Sequence, residues 1–229
     1  MSALTRTHLE ALLEERHLPV LGSATPGHAP LPTGIFPIDR ALAGGIPRGQ
    51  VSEVHGPASS GRTGLVQALV ARTTQEGSLA AWLDPGDRLD PATVSAAGAD
   101  LARLLWLRGG GGEQTLERSL SALGILLGSG IFHLVVLDLA GLPAAALRVP
   151  AATWIRLGRM IEGTATALVL LAGGHVACGP RGASLILDRA SPCWSGAAGP
   201  ARLFRGFEAQ GRVGRHVVEP ATFALQAIH

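Results

Sequence analysis

The sequence predicts an α/β fold, a mainly parallel sheet flanked by helices that ends in antiparallel C-terminal edge strands. Three observations predict it. Short apolar runs alternate with helical patterns from residue 50 to residue 172, the order that builds a parallel sheet with crossover helices. Two of the runs, "HLVVLDL" (133–139) and "TALVLLA" (166–172), are almost continuously apolar, as strands covered on both faces are. After residue 182 the helical patterns stop and strand-like runs follow one another.

The elements follow in order. Residues 4–17 read as a helix, with Thr7 and Glu10 as a capping box and Leu9, Leu12 and Leu13 along one side. "LPVLGSATPGHAPLP" (18–32) is rich in Pro and Gly and reads as a linker, so the main domain is expected to begin near Thr33. "QVSEVHG" (50–56) is a strand with Val51 and Val54 inside, and "RTGLVQALVARTTQ" (62–75) a helix. "SLAAWLD" (78–84) is a strand, "PATVSAAGA" (91–99) a short helix and "LLWLR" (104–108) a strand. "EQTLERSLSALGILLG" (113–128) is a helix with Leu116, Leu120, Leu123 and Leu127 on one face. "AATWIRLGRMIEG" (151–163) is the last helix. "ASLILDRA" (183–190), "ARLFRGFEAQ" (201–210) and "RHVVE" (215–219) read as consecutive strands, with "QGR" turning between the last two.

Composition excludes several classes. Nearly half of the 229 residues are apolar and 16% are charged, a globular balance rather than a disordered one. No apolar run approaches the ~18 residues that span a bilayer. The N-terminus is amphipathic and charged, unlike a secretory leader. These features predict a cytoplasmic protein with no membrane partner. Cys178 and Cys193 have no CxxC spacing, so neither a metal site nor a disulfide framework is expected of them. All 19 basic residues are Arg, and Lys, Asn and Tyr are absent, the mark of a GC-rich genome. Residues 1–174 hold 13 Arg against 14 acids, and residues 175–229 hold 6 Arg against 3. That C-terminal excess suits DNA or an acidic partner. The plainer alternative is a solvated strand face.

"GPASSGRT" (56–63) has the character of a phosphate-binding loop. Gly56, Ser59, Ser60 and Gly61 are small enough for backbone N–H groups to converge on a phosphate at a helix N-terminus. Such a loop carries a lysine for the terminal phosphates, followed by a hydroxyl for magnesium. Thr63 supplies the hydroxyl, but Arg62 stands at the lysine position, and its planar guanidinium is the bulkier group. A Gly/Ser-rich turn kept for packing is the alternative. Asp138 ends an apolar strand, where an acid is costly unless it faces a site; a cap for the following turn is the alternative there.

The stretch "PTGIFPIDRALAGGIPRGQVSEVHGPASSGRTGL" (32–65) resembles the RecA recombinase family. "WLDPGDRLDP" (82–91), "HLVVLDLAGL" (133–142) and "ARLFRGFEAQGRVG" (201–214) continue the resemblance in order, over roughly residues 33–219. It implies a RecA-like P-loop NTPase core over 33–229, preceded by the N-terminal helix and linker of 1–32. It also implies a nucleotide site of Gly56, Ser59, Ser60, Gly61, Arg62, Thr63 and Asp138, with ATP and magnesium as the bound species. The departures are specific. The family's loop lysine falls at Arg62. Its water-orienting glutamate falls at Gly86, with Asp87 only a shifted, shorter neighbour. Its glutamine sensor after "ALVLLA" is replaced by Ala172, Gly173, Gly174 and His175. Its long DNA loop shrinks to "GHVACGPRG" (174–182). The resemblance therefore implies a degenerate site with little or no hydrolysis; losing a water-orienting base alone costs about 10²–10⁴-fold. The rival expectation is a DNA-dependent ATPase or recombinase in which Asp87 or Asp84 serves as base.

Among RecA relatives, the size and the pattern of departures resemble the ImuA accessory family of bacterial mutagenesis cassettes. That resemblance implies a role in SOS-induced translesion synthesis. It implies binding to RecA, to an ImuB-type polymerase-like protein and to an error-prone DNA polymerase. Direct DNA contact would fall to Arg181, Arg202, Arg205, Arg212 and Arg215, with Trp194 as a candidate stacking residue.

Overall fold

The computed structural model describes residues 28–110, 115–143, 145–177, 182–196, 199, 202–215 and 218–226. The expected helix of residues 4–17 and most of the linker lie outside these. Leu31 is already part of the core. It is 1% exposed and exchanges backbone hydrogen bonds with Ile46. The helix α1 (Phe36–Ala41) follows. Its Asp39 reaches back, accepting from the Thr33 hydroxyl and backbone N–H at 2.7 Å each and from Gly34 N–H at 3.1 Å. Gly45 (φ +133°) passes so close to this N-terminal segment that a Cβ there would lie 2.1 Å from the Leu31 carbonyl oxygen.

Five parallel strands form the centre: β1 (Val51–His55), β2 (Ala80–Asp84), β3 (Leu104–Arg108), β4 (Leu134–Asp138) and β5 (Ala167–Ala172). Their order across the sheet is β3-β2-β4-β5-β1. Every residue of β1, β2, β4 and β5 is buried, because helices cover both faces. One face packs against α2 (Arg62–Gln75) and α3 (Pro91–Ala96) through Leu65, Leu69, Val70 and Val94. The other packs against α4 (Thr115–Ser129) and α5 (Ala151–Ile161). On α4 the expected leucine stripe is borne out: Leu123 and Leu127 are buried and Leu116 and Leu120 pack beside them. Trp154, Leu157 and Ile161 do the same from α5. Each such burial stabilises the fold by about 1.5–3 kcal/mol. No helix among the described residues is long and apolar enough to cross a membrane.

The C-terminal edge departs from expectation in two places. First, β6 (Ser184–Leu187) is shorter than the run 183–190, and a strand that the sequence pattern does not announce, β7 (Ser191–Ser195), follows it. Its Pro and exposed polar positions hide it from any alternation test. Second, β8 is one strand from Leu203 to Arg215, and "QGR" lies inside it rather than turning. Gly211 pairs with Leu187 of β6 on one side and with Phe223 of β9 (Val218–Gln226) on the other. Hydrogen bonding from both edges overrides the local turn tendency of Gln-Gly. β8 and β9 pair antiparallel as far as Arg215 and Val218. β6 is parallel to β1 and antiparallel to β8, so it joins the parallel centre to the antiparallel edge.

Candidate functional site

The parallel strands end along one rim, with His55, Asp84, Arg108, Asp138 and Ala172 as their last residues. Ligands of open α/β sheets bind at that rim. From β1 the chain enters the loop 56–63. Gly56 is required by close approach, since a Cβ there would lie 2.2 Å from the Leu187 carbonyl oxygen of β6. Ser59 (φ +62°) and Gly61 (φ +85°) take left-handed conformations that wrap the loop before α2 begins at Arg62. The first N–H groups of α2 therefore face out of the loop without intrahelical partners. Ser60 is fully buried and its Oγ makes no hydrogen bond. Thr63 is exposed on the first turn. The Ser59 carbonyl accepts from Ala190 N–H at 3.0 Å, which fastens the loop to the segment after β6.

Arg62 folds back across this loop. Its Nη1 donates to the carbonyl of Gly56, the loop's first residue, while its Nε is buried without a partner. Burial lowers the pKa of the guanidinium, the Asp138 carboxylate opposes that, and Arg88 adds to it. Asp138 is 6% exposed. Burial pushes its carboxyl up to about 6, and the charge of Asp84 reinforces the shift. A hydrogen bond from Ala140 N–H at 2.9 Å and the positive charges of Arg88 and Arg62 oppose it.

The two other acids named from the sequence are both committed elsewhere. Asp84 is buried, and its Oδ2 accepts from Arg88 N–H at 2.7 Å, Leu89 N–H at 2.8 Å and Trp106 Nε1 at 3.3 Å. It holds the turn after β2. Asp87 (φ +51°) is exposed and gripped by Arg108, which hydrogen-bonds both of its oxygens. That hydrogen bond, first among the causes, holds its carboxyl below the ordinary carboxylate range. Between them, a Cβ on Gly86 would meet the Cδ of Arg88 at 3.3 Å, and one on Gly141 would collide with the Arg88 guanidinium. Arg88 thus spans from the turn after β2 to the turn after β4. Sequence reasoning missed it, because nothing local marks an arginine whose partners lie across the rim.

Beyond β5, His175 is not loose. Its Nδ1 lies 2.6 Å from Oε2 of Glu53, a buried acid on β1. The other oxygen of Glu53 accepts from Val176 N–H at 3.0 Å and Ala177 N–H at 2.6 Å. Sequence reasoning passed over Glu53. Its only signal was an acid in the middle of a strand that otherwise reads as buried.

The basic candidates are dispersed. Arg181, like Cys178, lies outside the described residues. Arg215 ends β8. The Arg212 guanidinium lies 3.8 Å from Asp188 Oδ1. Arg202 and Arg205 share the β7–β8 ribbon. Arg202 lies 5.0 Å over the Trp194 ring, and Arg205 Nε donates to Ser195 Oγ at 2.7 Å. Trp194, Phe204 and Phe207 form an exposed edge-to-face series with centroid spacings of 5.3 and 5.0 Å. Of these, only Trp194 stands out in the sequence.

Comparison with known proteins matches residues 20–153 to the family described as the RecA N-terminal domain. Protein RecA of Arthrobacter sp. (strain FB24) is 39% identical over 109 residues, which are 47% of this chain and 30% of that protein. Protein RecA of Streptococcus uberis (strain ATCC BAA-854 / 0140J) is 41% identical over 107 residues, 46% of this chain and 27% of that protein. Protein RecA of Rubrobacter xylanophilus (strain DSM 9941 / JCM 11954 / NBRC 16129 / PRD-1) is 40% identical over 111 residues, 48% and 31% of the two chains. The matched stretch spans less than a third of the length of these curated relatives.

Proposed function

We propose, since this chain belongs to the RecA N-terminal domain family, that it is a RecA-like accessory protein of SOS-induced translesion synthesis, of the ImuA kind. It acts in the cytoplasm as a binding module, joining RecA to an ImuB-type polymerase-like protein and an error-prone DNA polymerase. Its RecA-like core, which takes in Leu31, presents surfaces, and the segment before residue 28 serves as an arm onto a partner. The ATPase site is degenerate.

The observation that carries this reading is the fate of the reacting groups at the rim. Arg62 turns onto the Gly56 carbonyl. Gly86 offers no side chain, and Asp87 is spent on Arg108. The small residues of the loop and the unpartnered Ser60 hydroxyl still fit a phosphate group, with Thr63 and Asp138 as the residues that would hold magnesium. Among the described residues, both candidate bases are committed, Asp84 to its own turn and Asp87 to Arg108. Nucleotide is therefore held weakly and not turned over.

The test has two arms. Phosphate release from ATP, with magnesium and single-stranded DNA, is expected to stay at the level of buffer. Turnover that Arg62→Ala and Asp138→Ala both abolish would establish the rival DNA-dependent ATPase. In the second arm, the full chain is expected to bind RecA and cap its filaments, and a chain lacking residues 1–27 to lose that effect. The deletion stops there because Leu31 belongs to the core. Unchanged capping by the shortened chain would refute the arm.

A second reading rests on its own observation. The exposed Trp194, Phe204 and Phe207 series carries Arg202 and Arg205 on the same ribbon. Aromatic faces interleaved with cations suit unpaired bases on a phosphate chain. On this reading the protein also touches single-stranded DNA directly.

A further inference from the structure

We infer that Glu53, His55 and His175 form a binding site for one divalent cation of the zinc class. The three residues come from two separate parts of the chain. Glu53 and His55 sit two apart on β1, on the same face of the strand, and His175 lies on the segment that follows β5. One ligand atom from each lies within 4.8 Å of the other two.

The donor set is two imidazoles and one carboxylate, which suits zinc and its neighbours rather than magnesium or calcium. Three donors placed tetrahedrally at about 2.1 Å from a common ion lie about 3.4 Å apart. Closure therefore requires the widest separation to shrink by about 1.4 Å at most and the 2.6 Å Glu53–His175 contact to open by about 0.8 Å. His175 is exposed on the segment after β5, and Glu53 and His55 are buried on β1.

The surroundings are those of a built site. The Oε1 of Glu53 is oriented by two backbone N–H groups, leaving Oε2 as the donor. One ring nitrogen of His55 lies 3.3 Å from Ser184 Oγ, an outer partner that orients the imidazole. His175 Nδ1 and Glu53 Oε2 are in direct contact at 2.6 Å, and the cation takes the place of that contact. The ion then ties the segment after β5 to the strand that leads into the loop 56–63.

The test uses the full chain with both cysteines replaced, Cys178→Ser and Cys193→Ser, so that thiols contribute nothing. Zinc is titrated calorimetrically, and cobalt(II) is added as a visible-light probe of coordination. The expected result is one ion per chain, cobalt absorption of a low-coordinate site, and a zinc-dependent rise in thermal midpoint. His175→Ala, at an exposed position, keeps the fold and weakens zinc binding by more than the roughly 10–100-fold that losing an outer partner produces. His55→Ala does the same. Binding that is absent from the cysteine-free chain overturns the inference. So does binding with unchanged affinity in His175→Ala, which would make the Glu53–His175 contact a fastening of the loop only.

Discussion

Arg108 holds Asp87 by two parallel hydrogen bonds, Nε to Oδ1 at 2.8 Å and Nη2 to Oδ2 at 2.9 Å. The pair joins the end of β3 to the turn after β2, and it decides what Asp87 is able to do. A carboxylate whose two oxygens both face a guanidinium is a weak base. Replacing it by Asp87→Asn is expected to leave phosphate release unchanged, measured with magnesium and single-stranded DNA. A fall of the ~10²–10⁴-fold size typical for loss of a general base would return Asp87 to the chemistry.

Asp138 links the site to stability. Its carboxyl titrates at about 6 when folded, against 3.8 in the unfolded chain. Between those values the folded state holds the proton and the unfolded state has released it. Stability from this group therefore falls as pH rises from about 4 to about 6, and stays low above that. The shift of roughly two units sets an upper bound of about 3 kcal/mol. Asp138→Asn keeps an acceptor for Ala140 N–H and removes the buried charge. It is expected to be more stable than the parent by about 1–3 kcal/mol at pH 8 and nearly equal to it at pH 4. Urea unfolding at the two pH values measures the difference, and a gap that does not change with pH would contradict it.

Arg62 bears on the proposed nucleotide site. Its guanidinium is engaged with the Gly56 carbonyl, and a phosphate entering the loop must displace it. Arg62→Lys carries the same charge on a slimmer, more mobile head. A fluorescent ATP analogue is expected to bind this variant about tenfold more tightly, about 1.4 kcal/mol. Turnover should remain absent, because Gly86 still offers no carboxylate. Equal affinities would show that the arginine does not obstruct the loop.

The β7–β8 ribbon makes a separate prediction. If single-stranded DNA stacks there, Trp194→Ala should weaken binding of an oligothymidine by about 1–3 kcal/mol. Removing Arg202 and Arg205 together should flatten the salt dependence by about 0.7 for each phosphate left without its cation. Binding that ignores salt, or that survives all three substitutions, assigns the DNA contact elsewhere.

Gly56 tests the junction between the parallel and antiparallel halves. Gly56→Ala puts a methyl group 2.2 Å from the Leu187 carbonyl oxygen. No rotamer relieves a Cβ contact, so the backbones must part. A loss of about 1–3 kcal/mol is expected, read as a lower thermal midpoint. An unchanged midpoint would mean that β6 does not run against the loop.

Local pattern is a good guide to much of the fold. The helix over 62–75 and the strand over 104–108 begin and end where their patterns do. The leucine stripe on α4 faces the core as its spacing requires. Such features depend on neighbours within one or two turns, and periodicity records them. β8 escapes local reading for the opposite reason. Gln210, Gly211 and Arg212 look like a turn in isolation, and strands on both sides hold them straight.

The α/β order, the small-residue loop after β1 with its Arg62, and the glycine at position 86 are all written in the chain itself. They are properties of adjacent residues. How the acids are spent is settled by the packed fold: Asp84 on its own turn, Asp87 on Arg108, and Glu53 on a histidine 122 positions away. A buried charge must find a partner, and which partner it finds depends on how the strands are laid side by side.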